Sequence, residues 1–417
     1  MATTRLFQDM LNEYLPNKMI AEEYIKRDWL LSNIEVDNGW QGSKIIVPFR
    51  GASASTVEYG QMAASNDISS GTFARGSIDA YVESWASMII NQRDIYDHQG
   101  VSPEASFLKL IPNEIEDLMG RFKEVVSTNL MTGTHFAKVV VDGTAGGVLE
   151  VDHIERFQIG QKFDLDDDNS SALAVYVIAI NVNNATGTGT GTITVSATRG
   201  GSAADVSAYT TAQNAKCYHP GVLSNGAFTS LRSVLLSAAN GGSSTVHGVT
   251  KTSYPILQAT NILGSDVTAA NILDKLFDGY TKVRQKGKGN ANTIVMSFKH
   301  LGSVLKLIET QKGPFVVTKQ PSASLYGWTE VEITSVRGTL KIVGVFEMDD
   351  DVIYYLDMKS MVFRTRGGFK KRQSPDGKEY FEIRATTGYS YVIDMCLFGE
   401  LEVNKPGHNA VMYSISY

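Results

Sequence analysis

The chain's seven histidines, His98, His135, His153, His219, His247, His300 and His408, are the first place to look for chemistry. No two lie within four residues of each other, so the HExxH spacing that places two imidazoles on one helix face around a metal does not occur. Cys217 and Cys396 are far apart, which excludes a disulfide scaffold or a cysteine-based zinc knuckle and suits a reducing compartment. Asp164, Asp166 and Asp168 alternate as in the start of a calcium loop. The sixth position of that loop is Asn169 where glycine is needed, and the twelfth is Val175 where glutamate is needed, so a solvated turn between strands fits better. Serine, aspartate and histidine are present without a GxSxG elbow. The Gly-Thr run between 183 and 211 has no following Lys-Ser or Lys-Thr and no helix start, so it is not a phosphate cradle. No catalytic residue, metal site or cofactor is expected, and the chain does not read as an enzyme.

Charge is the more informative signal. Arg364, Arg366, Lys370, Lys371, Arg372 and Lys378 crowd one strand-loop-strand unit around Gly367, Gly368, Pro375 and Gly377. This unit is either a solvated loop, a charged knob that meets acidic groups on neighbouring subunits or, less favoured, a nucleic-acid contact. One Phe and one Tyr flank it, too few to stack bases. Asp349, Asp350 and Asp351 sit between two apolar strands and read as a hairpin turn.

The elements that must carry these residues follow from periodicity. Residues 3–31 read as an arm of two short helices interrupted at Pro16. Residues 39–60 and 73–95 read as the two extended runs of a long β-hairpin with a small, polar tip. Such a hairpin is marginal alone, so it either lies on a neighbouring subunit or folds on a core of its own. The segment 102–133 is the clearest helix, with Pro112 in its first turn, a closing Gly133 and an apolar stripe through Ile111, Ile115, Leu118, Phe122, Val125, Val126 and Leu130. Its polar side carries Glu116, Arg121, Lys123 and Glu124. Residues 144–219 read as short strands of a small antiparallel barrel or sandwich, inserted into a host domain between glycine and proline punctuation, with Gly191–Ala197 as an exposed strand. Helices at 231–240, 270–287 and 298–310 around a buried strand at 293–297 indicate a compact α/β region, and strands fill Glu330 to Tyr417. The fold class expected is α+β.

The chain has 417 residues, 38 Lys plus Arg and 44 Asp plus Glu, for a net charge of -6, and its mean hydropathy is -0.10. These values indicate a folded protein of two to four domains without a general basic field for nucleic acid and without a membrane-spanning run. Arg5, Asp9 and Glu13 stand where a signal peptide would need an apolar run, so production in a cytoplasm is expected.

In this order, GSKIIVPFRG with FARGSIDAYVESWASMII, then IPNEIEDLMGRFKEVVSTNL, then HGVTKTSYPIL with NILDKLFDGYTKVRQKGKGNANTIVMSFKHLGSVLKLI, and finally TLKIVGVFEMDDDVIYYLDMKSMVFRTRGG, the chain resembles the major capsid proteins of tailed bacteriophages. Theirs is the HK-ninety-seven-type coat fold, here with an inserted β domain. The resemblance implies an N-terminal arm at 1–38, an extended loop at 39–96, a peripheral domain with a spine helix at 97–143, and the inserted β domain at 144–220. An axial domain at 221–328 and late strands at 329–417 complete it. It implies hexamers and pentamers that enclose double-stranded DNA in an icosahedral virion shell, assembled in a host cytoplasm. A separate scaffolding protein is implied because only about forty residues precede the extended loop, together with a portal and a decoration protein as further partners. Subunit contacts would then fall on Arg50, Tyr59, Arg75 and Glu83 of the extended loop and on Arg121, Lys123 and Glu124 of the helix. The basic loop would supply Arg364, Arg366, Lys370, Lys371, Arg372 and Lys378. A nanocompartment shell of the same fold, or another virion component, are the alternatives.

Overall fold

The structure, a computed structural model, describes residues 28–42, 44–52, 72–78, 82–91, 110–167, 172–182, 190–286, 290–311, 317–318, 330–335, 338–372, 381–385 and 388–416. Most of the expected N-terminal arm, the hairpin tip, Tyr59 and Lys378 lie outside these residues. The described chain begins with helix α1 (Trp29–Asn33) and strand β1 (Glu35–Asp37). Strands β2 (Ile45–Ala52) and β3 (Thr72–Ile78) pair antiparallel, with Ile45 opposite Ile78 and Arg50 opposite Phe73. The second extended run does not continue along this ribbon. It resumes as β4 (Val82–Asn91), which pairs with a different strand near the C-terminus. The expected 73–95 run is therefore divided, its first part in a two-stranded ribbon and its second in a larger sheet.

Helix α2 (Leu110–Thr132) is the long helix. Ile115, Leu118 and Met119 are half-buried along its first half while Glu116 and Asp117 are exposed, and every residue from Val126 to Thr132 is buried. Its stripe therefore widens into a fully enclosed C-terminal half. The helix stops where Gly133 adopts φ +107°, a left-handed conformation open to a residue without Cβ.

Six strands then form a closed barrel: β5 (His135–Val141), β6 (Val148–Val151), β7 (Lys162–Asp166), β8 (Leu173–Asn181), β9 (Gly191–Ser196) and β10 (Lys216–Tyr218), in the order β10-β5-β6-β9-β8-β7. Pairing of β10 with β7 closes the ring. Alternate residues point inward, so Phe136, Leu149, Val151, Phe163, Leu165, Val175, Val177, Ile193, Val195 and Cys217 make a core of their own. β9 is thus buried on one face, where an exposed strand was expected, and the first barrel strand begins at His135, upstream of the expected boundary.

Helices α3 (Val222–Asn225) and α4 (Leu231–Leu235) lead to a small ribbon of β11 (Thr245–Val246) and β12 (Val249–Thr250). Then follow β13 (Thr260–Leu263), α5 (Ile272–Lys286), β14 (Thr293–Met296), α6 (Phe298–Gln311), β15 (Val317–Thr318), β16 (Glu330–Ser335), β17 (Gly338–Gly344) and β18 (Val352–Leu356). The chain ends with β19 (Met361–Thr365), β20 (Lys370–Lys371), β21 (Phe381–Ala385), the long β22 (Gly388–Val403) and β23 (Ala410–Tyr413).

These strands divide between two sheets. One has the order β13-β23-β18-β14-β17-β16-β15. Its two faces are both covered, which is why VIYYL in β18 is entirely apolar: Val352, Tyr354 and Leu356 enter one core, Ile353 and Tyr355 the core under α5 and α6. The other sheet is organised on β22, which pairs with β4, β19, β20 and β21, and β19 pairs with β1. The Asp349–Asp351 segment is not a hairpin turn. β17 and β18 flank β14 on opposite sides, so the segment between them crosses the end of β14.

Candidate functional site

The β2–β3 ribbon has two unlike faces. Val47, Phe49, Gly76 and Ile78 are buried against the body, while Ile46, Pro48, Arg50, Phe73 and Arg75 are exposed. Ile46 is 56% and Phe73 71% exposed. The ribbon is fastened at its base. Ser77 N donates to the His247 carbonyl at 2.9 Å, the Phe49 ring lies parallel to the His247 ring at 6.3 Å, and Val403 N donates to His247 Nε2 at 3.1 Å. A Cβ on Gly76 would fall 2.7 Å from the Phe49 ring and 3.0 Å from the His247 carbonyl, so this close approach requires glycine.

Glu83 is exposed on β4, where exposed and half-buried residues alternate through Trp85 and Ile89. Between β4, α2 and the segment after the barrel runs a groove of ≈ 530 Å³, lined by Glu83, Trp85, Leu118, Arg121, Phe122, His219 and Phe228 among others. Arg121, Lys123 and Glu124 are half-buried on α2; Lys123 Nζ stands 5.9 Å over the Phe369 ring. His219 stacks on Phe136 at 4.4 Å, and burial, assisted by Arg121 and Arg156, pushes its imidazole down to about 3.

The basic cluster is less free than its sequence implies. Arg364 is bound by Asp37 and by Glu402, the latter at 2.6 Å, and hydrogen bonding to Glu402 raises its guanidinium further. Arg372 pairs with Asp394 at 3.5 Å and lies 5.7 Å over the Trp85 ring. Arg366 and Lys370 are exposed and Lys371 is half-buried. The structure therefore brings Glu83 and Arg121 to one groove beside α2, sets Glu124 with Arg121 in a neighbouring pocket, places Arg50 and Arg75 on the outer face of the ribbon, and uses Arg364 inside the subunit.

Sequence reasoning missed a charged hub that joins the barrel to the body. Asp349 is 1% exposed. Its carboxylate lies 3.4 Å from Arg156, 3.2 Å from Arg232 and 3.4 Å from His135. Arg232 also holds Asp351 at 2.7 Å, and Lys138 holds it at 3.2 Å. Arg156 donates to the carbonyls of Phe136, Phe346 and Met348. Burial alone would raise the Asp349 carboxyl, but Lys138, His135 and Arg156 outweigh it and hold it well below the usual range. Partners more than a hundred residues away leave no local signal. Among the described residues no group of three or more His, Cys, Asp or Glu could hold a metal ion, and no helix is long and apolar enough to cross a membrane.

No protein-family model and no curated protein matches the chain. Solved structures do. The cyanophage A-1(L) capsid asymmetric unit matches with a TM-score of 0.54 at 11% identity, covering 98% of this chain and 98% of that one. The chain has the phage major capsid protein fold. The capsids of the native and the empty GTA particle each match with a TM-score of 0.50 at 10% identity, covering 98% of this chain and 96% of theirs. With the capsid fold in view, the two-faced ribbon, the long helix and the two sheets are parts of one architecture.

Proposed function

We propose that this chain is the major capsid protein of a tailed phage. Copies assemble into hexamers and pentamers that close an icosahedral shell around double-stranded DNA, and the mature protein resides in the virion. The observation that carries the reading is the near end-to-end likeness to a capsid asymmetric unit, 98% of both chains at a TM-score of 0.54. On this reading residues 39–96 are the extended loop, 97–143 carry the spine helix, 221–328 form the axial domain, 329–417 the late strands, and the barrel within 144–220 is an insertion. Scaffolding, portal and decoration proteins are separate chains.

The ribbon supports the same reading. Its outer face presents Ile46, Pro48 and Phe73 beside Arg50 and Arg75, apolar area next to positive charge. The α2 groove presents the exposed Trp85 and the half-buried Leu118 beside Glu83, Arg121 and Lys162, apolar area next to charge of both signs. An exposed apolar patch rimmed by charge marks a protein contact. We place the ribbon of one subunit on the groove side of its neighbour, with Tyr59, Arg121, Lys123 and Glu124 at the same contact and Arg366, Lys370, Lys371, Arg372 and Lys378 where capsomers meet. Deleting residues 60–72 tests this. A folded subunit that no longer forms closed shells is expected, and normal shells from the deletion would remove the assignment.

A further inference from the structure

The basic loop is held rigidly against the long helix. Gly367 and Gly368 take φ +88° and +71°, left-handed values that glycine adopts without strain. Gly368 N donates to Thr365 Oγ1 at 2.9 Å, and that hydroxyl donates to Asn38 Oδ1 at 2.7 Å. Arg366 N donates to the Phe398 carbonyl at 2.9 Å. The Phe369 ring stands edge-on to Phe122 of α2 at 5.3 Å. Before and after this anchor in the chain, Arg366 and Lys370 are exposed, and among the described residues neither has an ion-pair partner.

Just before Phe122, α2 exposes Glu116 and Asp117, and among the described residues these carboxylates are unpaired as well. At 1.5 Å per residue Asp117 lies about 8 Å along the axis from Phe122, so cations and anions sit near each other on the subunit without meeting within it. Gly120 follows Glu116 by four residues and Asp117 by three, so it shares their face. A glycine inside a helix weakens it relative to alanine, and a Cβ on Gly120 would meet nothing within 4 Å. The subunit itself supplies no reason for bare backbone at this point. A neighbour that lies close against the helix does.

We propose that the basic loop of one copy docks on the Glu116 and Asp117 face of α2 in a second copy, its apex seated on the bare backbone at Gly120. This rests on the capsid reading and goes beyond it by naming the receiving surface. Each copy gives a loop through Arg366 and Lys370 and receives one on α2, a head-to-tail contact that closes a ring. Two cations and two carboxylates left unpaired within each chain are thereby paired between chains. Leu118 and Phe122 turn toward the groove, whereas Gly120, two residues from each, faces elsewhere. The ribbon and the loop therefore do not compete for the same side of α2.

The test is a charge exchange in the full chain, read by sedimentation velocity over a concentration series and by thermal unfolding of unassembled protein. Glu116→Lys with Asp117→Lys, and separately Arg366→Glu with Lys370→Glu, should each leave melting unchanged and raise the concentration at which shells form roughly tenfold. All four changes in one chain should return that threshold to within about threefold of the native value. Gly120→Leu should raise the melting temperature, because leucine suits a helix better than glycine, and still raise the threshold. If a charge variant fails to fold, Gly120→Leu decides. Native thresholds for either charge pair or for Gly120→Leu, or a fourfold variant no better than its parents, overturn the contact and leave the capsid reading standing. Native protein that forms no shells removes both.

Discussion

Replacing Phe73 by serine separates assembly from folding. The side chain is 71% exposed on the outer face of the ribbon, so the isolated subunit gains little from it. An aromatic side chain buries about 150–250 Å² when covered, and at roughly 25 cal/mol per Å² the exposed part could contribute about 3 kcal/mol at a subunit contact. With partial coverage, about 2 kcal/mol per contact is expected, which is about 30-fold in a pairwise dissociation constant. On the proposed assembly the contact repeats around each capsomer, so the protein concentration at which shells form should rise at least by that factor. Sedimentation velocity over a concentration series reads the threshold, and thermal unfolding of unassembled protein reads the subunit. Phe49→Ser is the counterpart: Phe49 is buried on the opposite face, and its loss should lower the melting temperature directly. An unchanged assembly threshold for Phe73→Ser, or an equal loss of subunit stability in both variants, would refute the placement of the ribbon.

Asp349→Ala strands the charges of Arg156, Arg232 and Lys138, and breaking such a buried cluster costs about 3–5 kcal/mol. Arg156 keeps its three carbonyls, so the lower end is expected in urea denaturation, and a loss below about 1 kcal/mol would show the hub to be dispensable. Because the native Asp349 carboxyl is held below its unfolded value, the hub's contribution is present above the unfolded value and fades only as the pH falls through the lower native one. His219 acts with the opposite group type. Its native imidazole titrates at about 3, the unfolded chain binds the proton first, and subunit stability should fall as the pH drops from about 6.5 toward 3. Substituting His219→Phe should flatten that slope in pH-dependent melts, and an unchanged slope contradicts it. Arg364→Glu should lower subunit melting temperature, since Asp37 and Glu402 lose their partner. Arg366→Glu, on an exposed residue, should leave melting unchanged and weaken assembly, and the reverse pattern would exchange their roles.

What the sequence disclosed depended on how local the physics was. The apolar stripe and closing Gly133 of α2, the buried run of β14 and the amphipathic patterns of α5 and α6 are written within single windows, and the structure has helices and strands there. The run from 73 to 95 alternates throughout, so periodicity alone could not reveal that Val82–Asn91 leaves the ribbon to pair with β22, a choice made by residues three hundred positions later. Asp349 to Asp351 look like a solvated turn because acidic residues usually are exposed. Only the convergence of Lys138, Arg156 and Arg232 makes the burial of Asp349 tolerable, while Asp350 and Asp351 stay partly exposed. Arg364 shows the reverse error, a charge offered to a neighbour by its sequence context and engaged by Asp37 and Glu402 within its own chain.

Electron cryomicroscopy of the purified protein addresses the self-association claim most directly. Closed icosahedral shells are predicted, in which the Ile46 and Phe73 face of each ribbon rests against the long helix of an adjacent subunit. Dispersed single subunits, or shells in which that face meets no neighbour, would contradict the account.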